Sequence, residues 1–190
     1  MIWREVKPLI FKERGSSYDF GCVMLYFTFY DLHTMHSYIS PSHLYILQND
    51  KDMFGLESKP HTTLLYGLHD NVDITDVANK LDNIEYSVCE VTNLSLFENK
   101  YDVLKYDVSG SNLHESNTLL KQLPNTNEYP IYQPHLTIAY LKSGFGDRYV
   151  KRLGKFNYTL KPSHLVYTTP NGKEYEIDIK VKENGNRKSI

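Results

Sequence analysis

Apolar and polar positions alternate through much of this chain, and the alternation marks out strands. Residues 20–30 (FGCVMLYFTFY) are rich in aromatic and branched side chains and read as a strand. Its faces differ: Val23, Leu25, Phe27 and Phe29 make one wholly apolar face, and Cys22, Met24, Tyr26, Thr28 and Tyr30 a mixed one suited to a cleft. Residues 31–47 read as a helix broken at Pro41, and 60–68 as a second strand. A helix is predicted over 73–81, with Asp73 as its N-cap. Residues 85–97 and 101–109 alternate as two strands of a hairpin turning at 98–100. A helix over 111–123 follows, capped by Ser111 and stopped by Pro124. Then come a strand at 134–142, a short helix at 146–153, and strands at 163–169 and 173–181 joined by a turn at Asn171-Gly172. Residues 1–17 are charged and irregular, an expected arm, and 182–190 an expected frayed tail. Strand–helix–strand units occur twice with a hairpin between them, which predicts an α+β fold with antiparallel sheets.

Composition narrows the function classes. The 190 residues carry 21 Lys and Arg against 23 Asp and Glu, a net charge of −2. Proteins that track long nucleic acids need a basic excess to neutralise phosphates, so a long nucleic acid is not the expected partner. A small anion held by a few local donors suits this balance. Cys22 and Cys89 lie in apolar runs and are expected in the core, with no disulfide framework. The first 17 residues lack the apolar stretch of a signal peptide and no run is long enough to span a membrane, so a cytoplasmic protein without membrane association is expected.

Two segments match each other. Pro60-His61-Thr62-Thr63-Leu64-Leu65-Tyr66 and Pro134-His135-Leu136-Thr137-Ile138-Ala139-Tyr140 are identical at four of seven positions. A lone His-x-Thr means nothing, but two copies in one Pro-His-x-Thr-apolar-x-Tyr frame are the repeat of a site. Residues i and i+2 of a strand share a face, so His61 projects with Thr63, and His135 with Thr137. By the same parity Tyr66 and Tyr140 fall on the opposite face and are expected in the core. If the two pairs meet, two imidazoles flank a point lined by two hydroxyls. A phosphodiester beside a free 2′-hydroxyl needs that layout: a neutral imidazole takes the 2′-OH proton, an imidazolium protonates the departing oxygen, and the threonines donate to the non-bridging oxygens. Histidine suits both roles because its pKa lies near neutrality.

The paired motifs resemble those of the 2H phosphoesterase superfamily over roughly residues 18–181. That resemblance implies a bilobal, pseudo-symmetric α+β domain, its cleft between two antiparallel sheets with helices outside. The opening Phe-Gly-Cys-Val-Met-Leu and the Pro-His-x-Thr frames are most similar to the phage anti-CBASS phosphodiesterases. This implies hydrolysis of cyclic di- and trinucleotide signals, cyclic GMP-AMP among them, by 2′-OH attack through a 2′,3′-cyclic phosphate, in the host bacterial cytoplasm. His61, Thr63, His135 and Thr137 are the expected catalytic residues, with no metal or other cofactor, and the protein is expected to be a monomer. Neither the sequence nor the resemblance says which histidine is base and which is acid.

Among the sixteen tyrosines, Tyr26 on the mixed face and Tyr18 just before it are the candidates for stacking on a nucleobase, with ordinary packing the alternative. Trp3 lies outside the resembling span. The other histidines show no metal-ligand spacing, and His33 and His36 are expected on a solvated helix face. Arg148, Lys151 and Arg152 share a short helix and are expected to be an ordinary charged exterior. Two rival functions remain: processing of RNA ends bearing 2′,3′-cyclic phosphates or 2′-5′ linkages, and a non-catalytic sponge that sequesters cyclic nucleotides. Retention of both His-x-Thr pairs counts against the sponge.

Overall fold

The structure is a computed structural model that describes residues 2–5, 18–47, 54–98, 100–110, 112–127, 129, 131–154 and 157–182. Its elements run β1 (Trp3–Glu5), β2 (Gly21–Thr28), α1 (Leu32–Ser37), a 3-10 turn (Pro41–His43), β3 (His61–Leu68), α2 (Ile74–Leu81), β4 (Glu85–Tyr86), β5 (Cys89–Glu98), β6 (Tyr101–Ser109), α3 (Leu113–Leu120), β7 (His135–Lys142), α4 (Gly146–Leu153), β8 (Tyr158–Thr168), β9 (Glu174–Asp178) and β10 (Lys180–Val181).

The alternation in the sequence becomes alternation in burial. In β2, Val23, Leu25 and Phe27 are buried while Cys22, Met24 and Tyr26 are half-buried on the other face. Helix α2 starts where expected because Asp73 accepts from the Asp76 N–H and Asp76 returns the bond, a capping box. The region 31–47 holds only a short helix: Pro41 opens a separate 3-10 turn, and the chain is then extended at Leu44. Ser111 lies outside the described residues, and Asn112 holds the N-cap position of α3 without a side-chain cap bond, its Nδ2 donating to Glu85 O instead. Trp3–Glu5, expected to be irregular, pairs with β9 as an antiparallel edge strand, with Trp3 edge-on to Tyr175. Within the expected tail, 183–190 lies outside the described residues.

The fold is α+β, with two antiparallel wings that share one strand rather than two separate sheets. The C-terminal part of β8 pairs with β2 and β9, and its first residues, Tyr158–Leu160, pair with β5. One wing is therefore β3-β2-β8-β9-β1 and the other β7-β6-β5-β8. A small parallel pair, β4 with β10, lies apart. The motif strands β3 and β7 end the two wings, and the sheet curls far enough for them to lie side by side.

The two wings are tied together crosswise. Helix α1 leads towards β3 but packs on β7, and α3 leads towards β7 but packs on β3. The connecting segments cross as well. Tyr140 N–H donates to Gly55 O and Glu57 N–H to Ile138 O, so residues 55–57 run along β7. In the mirror arrangement Thr126 N–H donates to Gly67 O and His69 N–H to Pro124 O. Gly67 sits at φ +117, and a Cβ there would lie 2.2 Å from the Thr126 carbonyl oxygen. Only glycine allows the second connection to approach so closely.

Candidate active site

Each motif strand carries a β-bulge at the same motif position. In β3, Thr63 pairs with Met24 and Leu65 with Val23, leaving Leu64 as the extra residue. In β7, Thr137 pairs with Lys105 and Ala139 with Leu104, leaving Ile138. A bulge resets side-chain parity. Residues 64 and 65 are accordingly both buried, as are 138 and 139, and the tyrosine that follows each pair returns to the His-x-Thr face. This corrects the expectation for Tyr66 and Tyr140. Tyr66 is 42% exposed, and Tyr140 is half-buried against Tyr101 and Phe54. A side chain from the crossing helix steadies each bulge: Asn117 Nδ2 donates to Leu64 O (2.6 Å), and His36 Nε2 lies 3.2 Å from Ile138 O. His36 is therefore not on a solvated face, and its loss of water lowers its pKa despite the bond to Ile138.

The imidazoles are held alike. His61 Nδ1 lies 2.7 Å from Lys59 O, and His135 Nδ1 2.9 Å from Gln133 O. A carbonyl only accepts, so Nδ1 carries the hydrogen in both rings and Nε2 is left for proton exchange. Thr63 of β3 and His135 of β7 line one cleft of about 480 Å³. Its other walls include Tyr66, Phe97, Asn117, Tyr129, Ile131 and Tyr132, so one side of the reaction point opens onto aromatic surface. The pseudo-equivalent side, beside Tyr140, is filled by the rings of Tyr45, Phe54 and Tyr101. Cys22, expected in the core, has its thiol hydrogen-bonded with Thr63, and burial pushes its pKa to about 12, so it stays protonated.

The cross-strand neighbours break the symmetry. On the first wing His61 stands beside Tyr26, whose ring stacks on His164 at 5.0 Å and 2°. On the second, His135 pairs in register with Asp107, and Thr137 with Lys105. Lys105 is 5% exposed; its Nζ donates to Ser95 Oγ (2.9 Å) and to Asp107 Oδ1, and it lies 4.5 Å from the centre of the Phe97 ring. Asn93 Nδ2 also donates to Asp107 (3.1 Å). Burial works to raise the pKa of Asp107, but these hydrogen bonds outweigh it and hold the carboxyl below its ordinary value. Desolvation is the main cause that lowers the pKa of His135. The bond to Gln133 opposes it, Lys105 and His61 lower it further, and Asp107 opposes them. Strands β3 and β7, which carry the two rings, lie side by side.

Of the six candidate residues, the structure brings His61, Thr63, His135 and Thr137 to the two adjoining strands, with Tyr26 beneath His61. It does not bring Tyr18 there. Gly21 pairs with Leu68 at one end of β3 and Tyr26 with His61 at the other, and Tyr18 precedes the Gly21 end, beside Gly172 in the turn between β8 and β9. Its N–H donates to Pro170 O (2.7 Å) instead. Lys105, Asp107 and Phe97 were missed in the sequence. The available signal was the Lys-x-Asp spacing of 105 and 107 in a strand predicted to alternate, which puts both charges on one face. Among the described residues no three His, Cys, Asp or Glu side chains are grouped to hold a metal ion, and no helix is long and apolar enough to cross a membrane.

Neither a protein-family model nor a curated protein sequence matches this chain. Among solved structures, Usb1 of Kluyveromyces marxianus, determined with uridine monophosphate, superposes with a TM-score of 0.51 at 9% identity, covering 85% of this chain and 99% of Usb1. At that identity the likeness concerns architecture alone, the α+β arrangement of antiparallel wings described above.

Proposed function

We propose that the protein is a phosphodiesterase that opens 3′-5′ linkages of cyclic di- and trinucleotides, in the manner of the phage enzymes that counter CBASS immunity, without needing a metal. The observation that carries the reading is the matched pair of imidazoles on β3 and β7, each with Nδ1 committed to a backbone carbonyl and Nε2 free. A binding protein needs no such pair. The neighbouring cleft, about 480 Å³ with Tyr66, Phe97 and Tyr129 in its walls, has the size and aromatic surface for a nucleobase.

In the reaction, one Nε2 accepts the 2′-OH proton as O2′ bonds to phosphorus. The P–O5′ bond breaks, and the other imidazolium protonates O5′. Thr63 and Thr137 hydroxyls donate to the non-bridging oxygens as charge collects there. The rings then exchange roles: the second, now neutral, activates water against the 2′,3′-cyclic phosphate, and the first returns its proton to O2′. The product is linear and ends in a 3′-phosphate. A net charge of −2 agrees with a small ligand rather than a long strand.

Processing of RNA ends is the second reading, favoured by the uridine monophosphate in the structure of Usb1. Incubation with cyclic GMP-AMP, cyclic tri-adenylate and a short RNA ending in a 2′,3′-cyclic phosphate, in EDTA, separates the readings by chromatography. Opening of the rings supports the first. Turnover of the RNA alone replaces it with the second, and tight binding without turnover refutes both in favour of a sponge.

A further inference from the structure

The two wings superimpose their residues in register around the histidines, and the correspondence exposes one misfit. Tyr26 stands opposite His61 as Asp107 stands opposite His135, and Met24 opposite Thr63 as Lys105 opposite Thr137. At equivalent places the fold thus carries a thioether once and an ammonium once. The ammonium is the costly choice. Lys105 is 5% exposed, and a desolvated ion pair commonly contributes less to stability than an apolar pair of the same volume. Met24 shows that the bulged position accepts such a side chain. The cation also belongs to an organised ladder: Ser95 and Asn93 on β5 face Lys105 and Asp107 on β6, which face Thr137 and His135 on β7. Phe97 closes the group, with Lys105 against its ring and the His135 ring perpendicular to it, the ring centres 4.9 Å apart.

We propose that Lys105 is a positioning residue that gives the reaction its direction: clamped by Asp107 beside His135, its positive charge keeps the second-wing imidazole in the neutral form that accepts the 2′-OH proton, and His61, whose cross-strand neighbour is the ring of Tyr26, is left as the donor to O5′. This rests on the phosphodiesterase reading. The charged and titratable groups that face His135 are Lys105 and Asp107 from β6 and His61 from β3, while β5 presents the Phe97 ring. Desolvation acts in the same sense as Lys105. Asp107 opposes both, so the pair works as a set point rather than as a simple repulsion. Acid and base roles are separated when the environments of two like groups push their proton affinities apart, and here the strands beside the two rings supply the difference.

The test titrates His135 by NMR in the full-length protein without substrate, as wild type, Lys105→Met and Asp107→Asn. Lys105→Met, which installs the residue found at the equivalent place on β2, is expected to raise the His135 midpoint by about one pH unit or more. Asp107→Asn leaves the ammonium uncompensated and is expected to lower it. Opposite movements cannot come from general loosening, which would drive both midpoints towards that of a solvated imidazole. The acid limb of the kcat/KM profile should move with the midpoint in each variant. Midpoints unchanged in both variants, or shifted the same way, overturn the proposal. Shifts in the expected directions without movement of the acid limb make His135 the donor and overturn the assignment of roles. A wild-type protein that turns over none of the three nucleotide substrates refutes the phosphodiesterase reading, and with it any catalytic use of Lys105, while the midpoints still read its field on His135.

Discussion

Leu64 and Ile138 occupy the same place in two strands from different halves of the chain: each is the extra residue of a bulge one position after the motif threonine, and each offers its carbonyl to a side chain on a crossing helix. The bulge brings Tyr66 and Tyr140 onto the His-x-Thr face. The helix bonds fix the bulge, and with it the aim of the residues on either side. The two supports are not equally exposed to loss. Asn117 is 4% exposed, and replacing it by alanine withdraws a donor from a buried carbonyl, at about 1–3 kcal/mol. Ile138 O keeps the Glu57 N–H (3.0 Å) when His36 is removed, so His36→Ala should cost less. Urea denaturation of the two variants checks the order.

Gly67 leads to a second expectation. Alanine there meets both a φ of +117 and the Thr126 carbonyl at 2.2 Å, so the connection over 124–127 must lift from β3. Gly67→Ala should destabilise by more than about 1 kcal/mol. It should also weaken nucleotide binding more than an equally destabilising core variant does, because Asn127 and Tyr129 form a wall of the cleft. Equilibrium unfolding with a parallel binding isotherm measures both.

The pH dependence of stability has a definite sign. His36, His135 and His164 all have pKa values lowered from 6.5, chiefly by desolvation, so the unfolded chain takes up protons before the folded one as pH falls. Their contribution is fully present above about pH 6.5 and is lost as pH drops through the folded values below it. The denaturant midpoint should therefore fall between about pH 7.5 and about pH 5.5, and His36→Gln, His135→Gln and His164→Gln together should flatten that fall.

Much of this was legible in the sequence, and the omissions share a cause. The faces of β2, the Asp73 cap of α2 and the alternation of β6 follow from local periodicity, and the motif pair follows from the repeat itself. A bulge changes parity without leaving a mark in composition, so counting by twos put Tyr66 and Tyr140 in the core. The crosswise packing of α1 on β7 and of α3 on β3 is a long-range relationship that no local pattern encodes. It is why His36 and Asn117 were not seen as supports of the site. Tyr26 was rightly placed on the mixed face, but its partners, His61 and His164, are fixed by register with two other strands. Lys105 and Asp107 could have been noticed as charges sharing a strand face, but their relation to His135 needed the β6–β7 pairing.

The nucleophile can be tested chemically. A cyclic dinucleotide with a 2′-deoxy sugar at the attacked linkage should bind with near-normal affinity and resist cleavage, since O2′ is the attacking atom. Chromatography against the ribose compound reads the difference, and cleavage at an equal rate would make water the direct nucleophile.

Whether both imidazoles work on one phosphorus is settled most directly by the turnover of His61→Ala, His135→Ala and the double variant on the substrate identified by the nucleotide panel. Each single variant should lose about 10²–10⁴-fold in kcat, with Thr63→Val and Thr137→Val milder. The double variant should fall little below the worse single one, because groups that act as a unit are not additive. Either histidine replaced without loss of activity, or two losses that simply multiply, would contradict the account.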